Sequence, residues 1–125
     1  MDRSLLLVGL GGFIGSAARY LVAVVLSGYV SSSFPLATFV VNIFGCFLIG
    51  VLFALSERGD VLTPEWRIFL TTGFCGGFTT FSTFSYESLR LMQEGELFYL
   101  GLNVVLSVVI GFAATYVGIL LVKSI

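Results

Sequence analysis

The run GGFTTFSTFSYE, from Gly76 to Glu87, sets five serine and threonine hydroxyls among three phenylalanines and closes on a carboxylate. Phe78, Phe81 and Phe84 recur every three residues, which puts them near one face of a helix. A phenyl ring has a negative face and a positive edge. Ring edges with hydroxyls between them can therefore solvate an anion weakly, without a fixed positive charge. Conduction needs such weak, multi-site binding, because a buried lysine would hold the ion too long. The competing reading of an aromatic stripe is core packing. The glycines Gly73, Gly76 and Gly77, followed by Thr79 and Thr80, add a second chemistry. Paired glycines next to β-branched residues favour a break in a helix. A break in a membrane frees backbone carbonyls, which must find protein, water or an ion, and broken helices at the bilayer midplane commonly turn them towards a cation.

Other polar residues sit in otherwise apolar surroundings. Thr38, Asn42, Cys46 and Gly50 are spaced by four, as are Asn103, Ser107, Gly111 and Thr115, so each set shares a helix face. Small residues in this pattern let helix backbones approach, and their hydroxyls can bond across. Asn42 asks for more, since one interhelical bond does not satisfy a carboxamide with two donors and an acceptor. It is a candidate for lining a pathway. Arg19 is the one charge well inside the first apolar run. It reads either as an arginine snorkelling to a helix end or as an electrostatic lure at the mouth of an anion path, with Glu87 the nearest acidic candidate on another helix. The stretch GLGGFIGSAARY misses the dinucleotide-binding spacing by one residue and lacks βαβ context. Its pairs Gly11/Gly15 and Gly12/Ser16 suit tight helix packing instead. Cys46 and Cys75 have no histidine in the chain to share a metal with.

These residues need elements to hold them, and the composition says which. The chain has 125 residues, of which 58% are hydrophobic and 10% charged, against about 25% charged in soluble domains. It is expected to be a single transmembrane domain over residues 1–125. A spanning helix needs about 20 mostly apolar residues, and four segments qualify, at about residues 4–28, 34–56, 66–92 and 97–122. The first continues past the length of a signal peptide and reads as a retained helix. The connections are short: GYVSSS, ERGDVLTPE with Pro64 suited to a helix start, and QEGE. With four spans, Arg3, Arg58, Arg67 and Lys123 lie on one side, against Arg90 and Arg19 towards the other, a modest bias. No internal repeat is found. Any pathway is therefore expected to come from an oligomer. The net charge of −1 and the lack of a basic run argue against a nucleic-acid partner.

Three motifs together resemble the Fluc family of fluoride channels, also called CrcB: GGFIGSAARY, FPLATFVVNIFGCFLIG and GFCGGFTTFSTFSYE. The resemblance covers essentially the whole chain. It implies an all-α membrane protein of four transmembrane helices per subunit, the third broken at mid-membrane, paired as an antiparallel homodimer of dual topology with two pores. The activity it implies is passive, fluoride-selective export across a microbial inner membrane, lowering cytoplasmic fluoride. It further implies that Phe81 and Phe84 turn ring edges to fluoride, that Asn42 lines the pore, and that Arg19 stands near its entrance. By the same resemblance Ser82 and Thr83 are pore hydroxyls, Glu87 is a polar position beyond them, and Ser107 and Thr115 match in the fourth helix. A structural sodium ion at the dimer two-fold would be held by the backbone carbonyls of Gly76 and Thr79, with no organic cofactor. A proton-coupled four-helix transporter is the alternative, but it requires a titratable carboxylate deep in the bundle. Asp2, Glu57, Asp60, Glu65, Glu94 and Glu96 fall in loops or ends, and Glu87 lies near one. An accessory packing subunit explains the small-residue stripes but not Asn42 with the hydroxyl–phenyl run. An intramembrane enzyme lacks a His or Lys in a span to activate a serine.

Overall fold

The structure is a computed structural model that describes residues 2–28, 34–59 and 61–125; most of the GYVSSS connection and Asp60 lie outside them. The described residues contain helices and no strand. Helix α1 spans Asp2–Ser27, α2 Leu36–Ser56 and α6 Leu97–Lys123. These three are each long and apolar enough to cross a membrane. The remaining expected span is a succession of pieces: α3 at Pro64–Ile68, a π-helical stretch at Phe69–Cys75, α4 at Gly76–Phe78 and α5 at Phe81–Gln93.

Local sequence explains these boundaries. Thr63 caps α3, its hydroxyl accepting from the Trp66 amide at 3.2 Å, and Pro64 occupies the first turn, where a missing N–H costs nothing. The segment therefore starts slightly earlier than its apolar run suggests. Thr79 and Thr80 are extended, with ψ of 159° and 122°. Their β-branched side chains suit that conformation better than a helix. Thr80 then caps α5, its hydroxyl accepting from the Thr83 amide at 3.2 Å. Gly95, at φ +77°, makes the tight turn into α6.

Two seams hold the pieces together. In the first, α1 lies against the π-helical stretch and α4, running parallel to them. A Cβ on Gly73 would meet Gly11 Cα at 3.0 Å, one on Gly77 would meet Gly12 Cα at 2.9 Å, and one on Gly15 would run into the Phe74 carbonyl. Backbone rests on backbone here, as the small-residue pairs of α1 require. In the second, α2 and α6 run parallel in contact. Gly50 faces the Thr115 backbone, Gly118 faces the Phe47 carbonyl, and the Thr115 hydroxyl donates to the Cys46 carbonyl at 3.1 Å. Arg58 closes this seam by donating to the Val122 and Ile125 carbonyls at 3.3 and 3.0 Å, at the end of α6.

The apolar residues face outward. Leu5, Phe13, Leu21, Phe98 and Val109 are exposed, while the buried apolar side chains are few and mostly small, such as Val41, Ala54 and Val122. A water-soluble chain would reverse this arrangement. Lipid is the solvent that makes such an exterior favourable.

Candidate functional site

The interruption at Thr79–Thr80 leaves backbone groups that need partners. Asn42, on α2, meets both groups of Thr80. Its Oδ1 accepts from the Thr80 amide at 2.9 Å and its Nδ2 donates to the Thr80 carbonyl at 3.1 Å. In an unbroken helix the Thr80 amide would bond to the Gly76 carbonyl, four residues back. The Thr83 amide would likewise bond to Thr79, but it goes to the Thr80 hydroxyl. The Gly76 and Thr79 carbonyls are thus released, with no backbone donor among the described residues. Of the two carbonyls between them in sequence, that of Gly77 accepts from Arg19 Nε at 3.2 Å.

These groups border a groove of about 470 Å³, open along one side of the chain. Asn42, Gly76, Thr79, Phe81, Phe84 and Ser107 all reach it. Of the pore and sodium candidates named from the sequence, these six are therefore brought to one place. Arg19, Ser82 and Thr83 are not on its walls. Arg19 instead places its guanidinium against the broken end of α4, where unpaired carbonyls and the helix dipole favour a cation. It pairs with no carboxylate among the described residues, Glu87 included. Ser82 is exposed, its hydroxyl 3.4 Å from that of Thr80.

The phenylalanine stripe divides at the interruption. Phe78 is buried to 6% exposure, stacked on Phe74 at 5.5 Å and edge-on to Phe44 at 6.1 Å. It belongs to the core, contrary to the single face expected of Phe78, Phe81 and Phe84. The two extended residues turn the chain before Phe81. Phe81 and Phe84 then lie 5.8 Å apart and tilted by 40°. Phe81 is 78% exposed and Phe112, across the groove on α6, is 76% exposed.

The polar face of α6 also divides. Ser107 reaches the groove, but Thr115 is turned into the α2 seam. Asn103 is fully buried and bonded to Ser88 on α5. Glu87 lies apart from the groove, beside a second hollow of about 270 Å³ with Pro35, Arg90 and Glu94. Its Oε1 is buried without a hydrogen-bond partner among the described residues. Sequence reasoning missed Thr80, Cys75, Phe112 and Gly111 as groove residues. For Thr80 the signal was present, since the second threonine after a glycine pair is well placed to begin a new helix.

A family model described as CrcB-like protein, Camphor Resistance (CrcB), matches residues 6–119. The chain belongs to the CrcB family. A relative of this CrcB chain from Chlorobium luteolum, named "Fluoride-specific ion channel FluC", is 54% identical over 120 residues, covering 96% of this chain and 92% of its own. Proteins with the same name from Chlorobaculum tepidum and Flavobacterium psychrophilum are 51% and 43% identical, covering 97% and 98% of the CrcB chain and 95% and 98% of their own lengths. The family is the one whose motifs the sequence resembles; the second and third motifs supply most of the groove of the CrcB chain, and α6 supplies the rest with Ser107, Val108, Gly111 and Phe112.

Proposed function

We propose that this CrcB chain is a passive, fluoride-selective channel that lets fluoride leave the cytoplasm across a bacterial inner membrane. It is a multi-pass membrane protein and acts as a channel, not an enzyme; fluoride channels are what its relatives are named for. The observation that carries the reading is the groove. It sets two tilted phenyl rings, the Asn42 carboxamide and the Ser107 hydroxyl along one apolar wall with no lysine or arginine in it. Such a wall offers partial positive charge from ring edges and an amide, and holds a hydroxyl that can donate when its proton is free. It can replace part of an anion's hydration shell without trapping the ion.

The groove is open, and Phe81 projects from the chain that carries it. A second copy is the partner that completes the walls. The proposed assembly is an antiparallel homodimer of dual topology with two pores and the interruption at Thr79–Thr80 at mid-membrane. Pairing would bring the two released carbonyls of each chain together around the two-fold axis. These donors fit a sodium ion: they are neutral oxygens, freed from the helix ladder and held rigid by the Asn42 clamp. The ion would supply positive charge where several carbonyl dipoles converge.

The test is fluoride efflux from liposomes loaded with potassium fluoride, started with a potassium ionophore and followed with an electrode. Fast fluoride efflux without chloride efflux is the expected result. Folded protein that passes neither ion would refute the reading.

A further inference from the structure

Asn103 is the most deeply buried polar side chain described, at 2% exposure, and it does not reach the groove. Its carboxamide nevertheless connects to the groove. Nδ2 donates to Ser88 Oγ at 3.0 Å, and Oδ1 accepts from Ser107 Oγ at 3.4 Å. Ser88 is itself buried, and Ser107 is the hydroxyl of α6 that lines the groove. Three side chains thus form a hydrogen-bonded row from the α5–α6 interface to the wall of the candidate path.

The row has a direction, and the direction decides what Ser107 offers. A hydroxyl has one proton to donate. With that proton given to Asn103 Oδ1, Ser107 turns only lone pairs towards the groove, which repel an anion. Rotating the carboxamide by half a turn exchanges its ends. Ser88 then donates to Oδ1, Nδ2 donates to Ser107 Oγ, and the Ser107 proton is free to point into the groove. Each residue keeps a hydrogen bond in both arrangements, so neither leaves a buried group orphaned. The Ser107 contact is long, so it is the one most easily exchanged.

We propose that Asn103 is a positioning residue for anion passage: the Ser88–Asn103–Ser107 row reverses its polarity so that Ser107 donates its proton to an anion in the groove. This rests on the channel reading above. Donation to the anion supplies the differential interaction that selects the reversed arrangement. The row also strengthens that donation, because a hydroxyl that is accepting a hydrogen bond is a better donor. Asn103 itself does not touch the ion.

The experiment is a double-mutant cycle on fluoride efflux from liposomes, using the full-length protein with Asn103→Leu, Ser107→Ala and both together. Ser107→Ala should slow efflux about tenfold, the scale of one hydrogen bond to a charged group. Asn103→Leu should slow it measurably but less, because Ser107 keeps its proton and loses only the bond that fixes and strengthens its donation. The pair should be no slower than Ser107→Ala alone, because Asn103 acts through Ser107. A structural clamp between α5 and α6 would give losses that multiply, and that result overturns the proposal. So does full efflux through Asn103→Leu or through Ser107→Ala. If Asn103→Leu does not fold, Ser88→Ala takes its place in the same cycle, since it removes the outer end of the row with a smaller change in volume. Absence of fluoride efflux from the unmutated protein is a separate outcome: it removes the channel reading, and this proposal with it.

Discussion

Replacing Asn42 by leucine should undo the interruption in the third membrane segment. The side chain is similar in size but cannot hydrogen-bond. Thr80 would lose an acceptor at 2.9 Å and a donor at 3.1 Å together. Leaving a buried backbone group unsatisfied costs about 1–3 kcal/mol. Two groups give about 2–6 kcal/mol, and their half-buried position beside an open groove points to the lower end, about 2–3 kcal/mol. The loss falls on the extended conformation in particular. Without its clamp, the Thr80 amide can return to the Gly76 carbonyl and continue the helix, withdrawing a carbonyl from the groove. A bias of about 2–3 kcal/mol is a factor of roughly 30–150 in population. Stability would be measured by unfolding in detergent micelles, and activity by fluoride efflux. Both should fall, and Asn42→Asp should also lose activity, since it sets a carboxylate oxygen against the Thr80 carbonyl and adds negative charge to an anion path. Wild-type stability and flux in Asn42→Leu would refute the clamp.

Phe81→Ile should abolish fluoride efflux or slow it severely while the protein remains folded and paired, because the ring is almost free of its own chain; full flux in the folded variant would remove Phe81 from the path. Gly77→Ala should prevent α1 from seating, since its methyl would lie 2.9 Å from Gly12 Cα with only backbone around it, and recovery of monodisperse protein in normal yield would contradict this. Complete exchange into sodium-free buffer should weaken either efflux or the dimer. Unchanged efflux and an unchanged elution profile after exchange would leave the carbonyls of Gly76 and Thr79 without an ion to hold.

The helices were legible because apolar length is a strong signal: a run the thickness of a bilayer has few other uses. The break was legible in kind, from glycines beside threonines, but its position was not. Gly76 and Gly77 remain helical, Gly77 packing against α1 and Gly76 reaching the groove, and the chain opens only at the β-branched pair beyond them. For Asn42 the sequence showed a carboxamide needing several partners, yet nothing in it named the Thr80 backbone. Periodicity also gives a face without saying what lies opposite. Asn103, Ser107 and Thr115 share one stripe, and the structure turns them respectively to α5, to the groove and to α2. Arg19 was ambiguous for a related reason. The group it meets, the Gly77 carbonyl, is a main-chain acceptor that has no side-chain signature.

The exposure of Phe81 has a consequence for inheritance. On the proposed assembly, each path borrows part of its wall from the other copy. Where a Phe81 variant and the unmutated gene are expressed together at equal levels, random pairing leaves only about a quarter of the dimers free of the lesion. The damage spreads to normal chains, and such an allele should be partly dominant. A Gly77 lesion acts earlier, within a single chain, and removes that chain before it can find a partner. It should be recessive. Two substitutions only four residues apart would then be told apart by co-expression with the unmutated gene, without any measurement of flux.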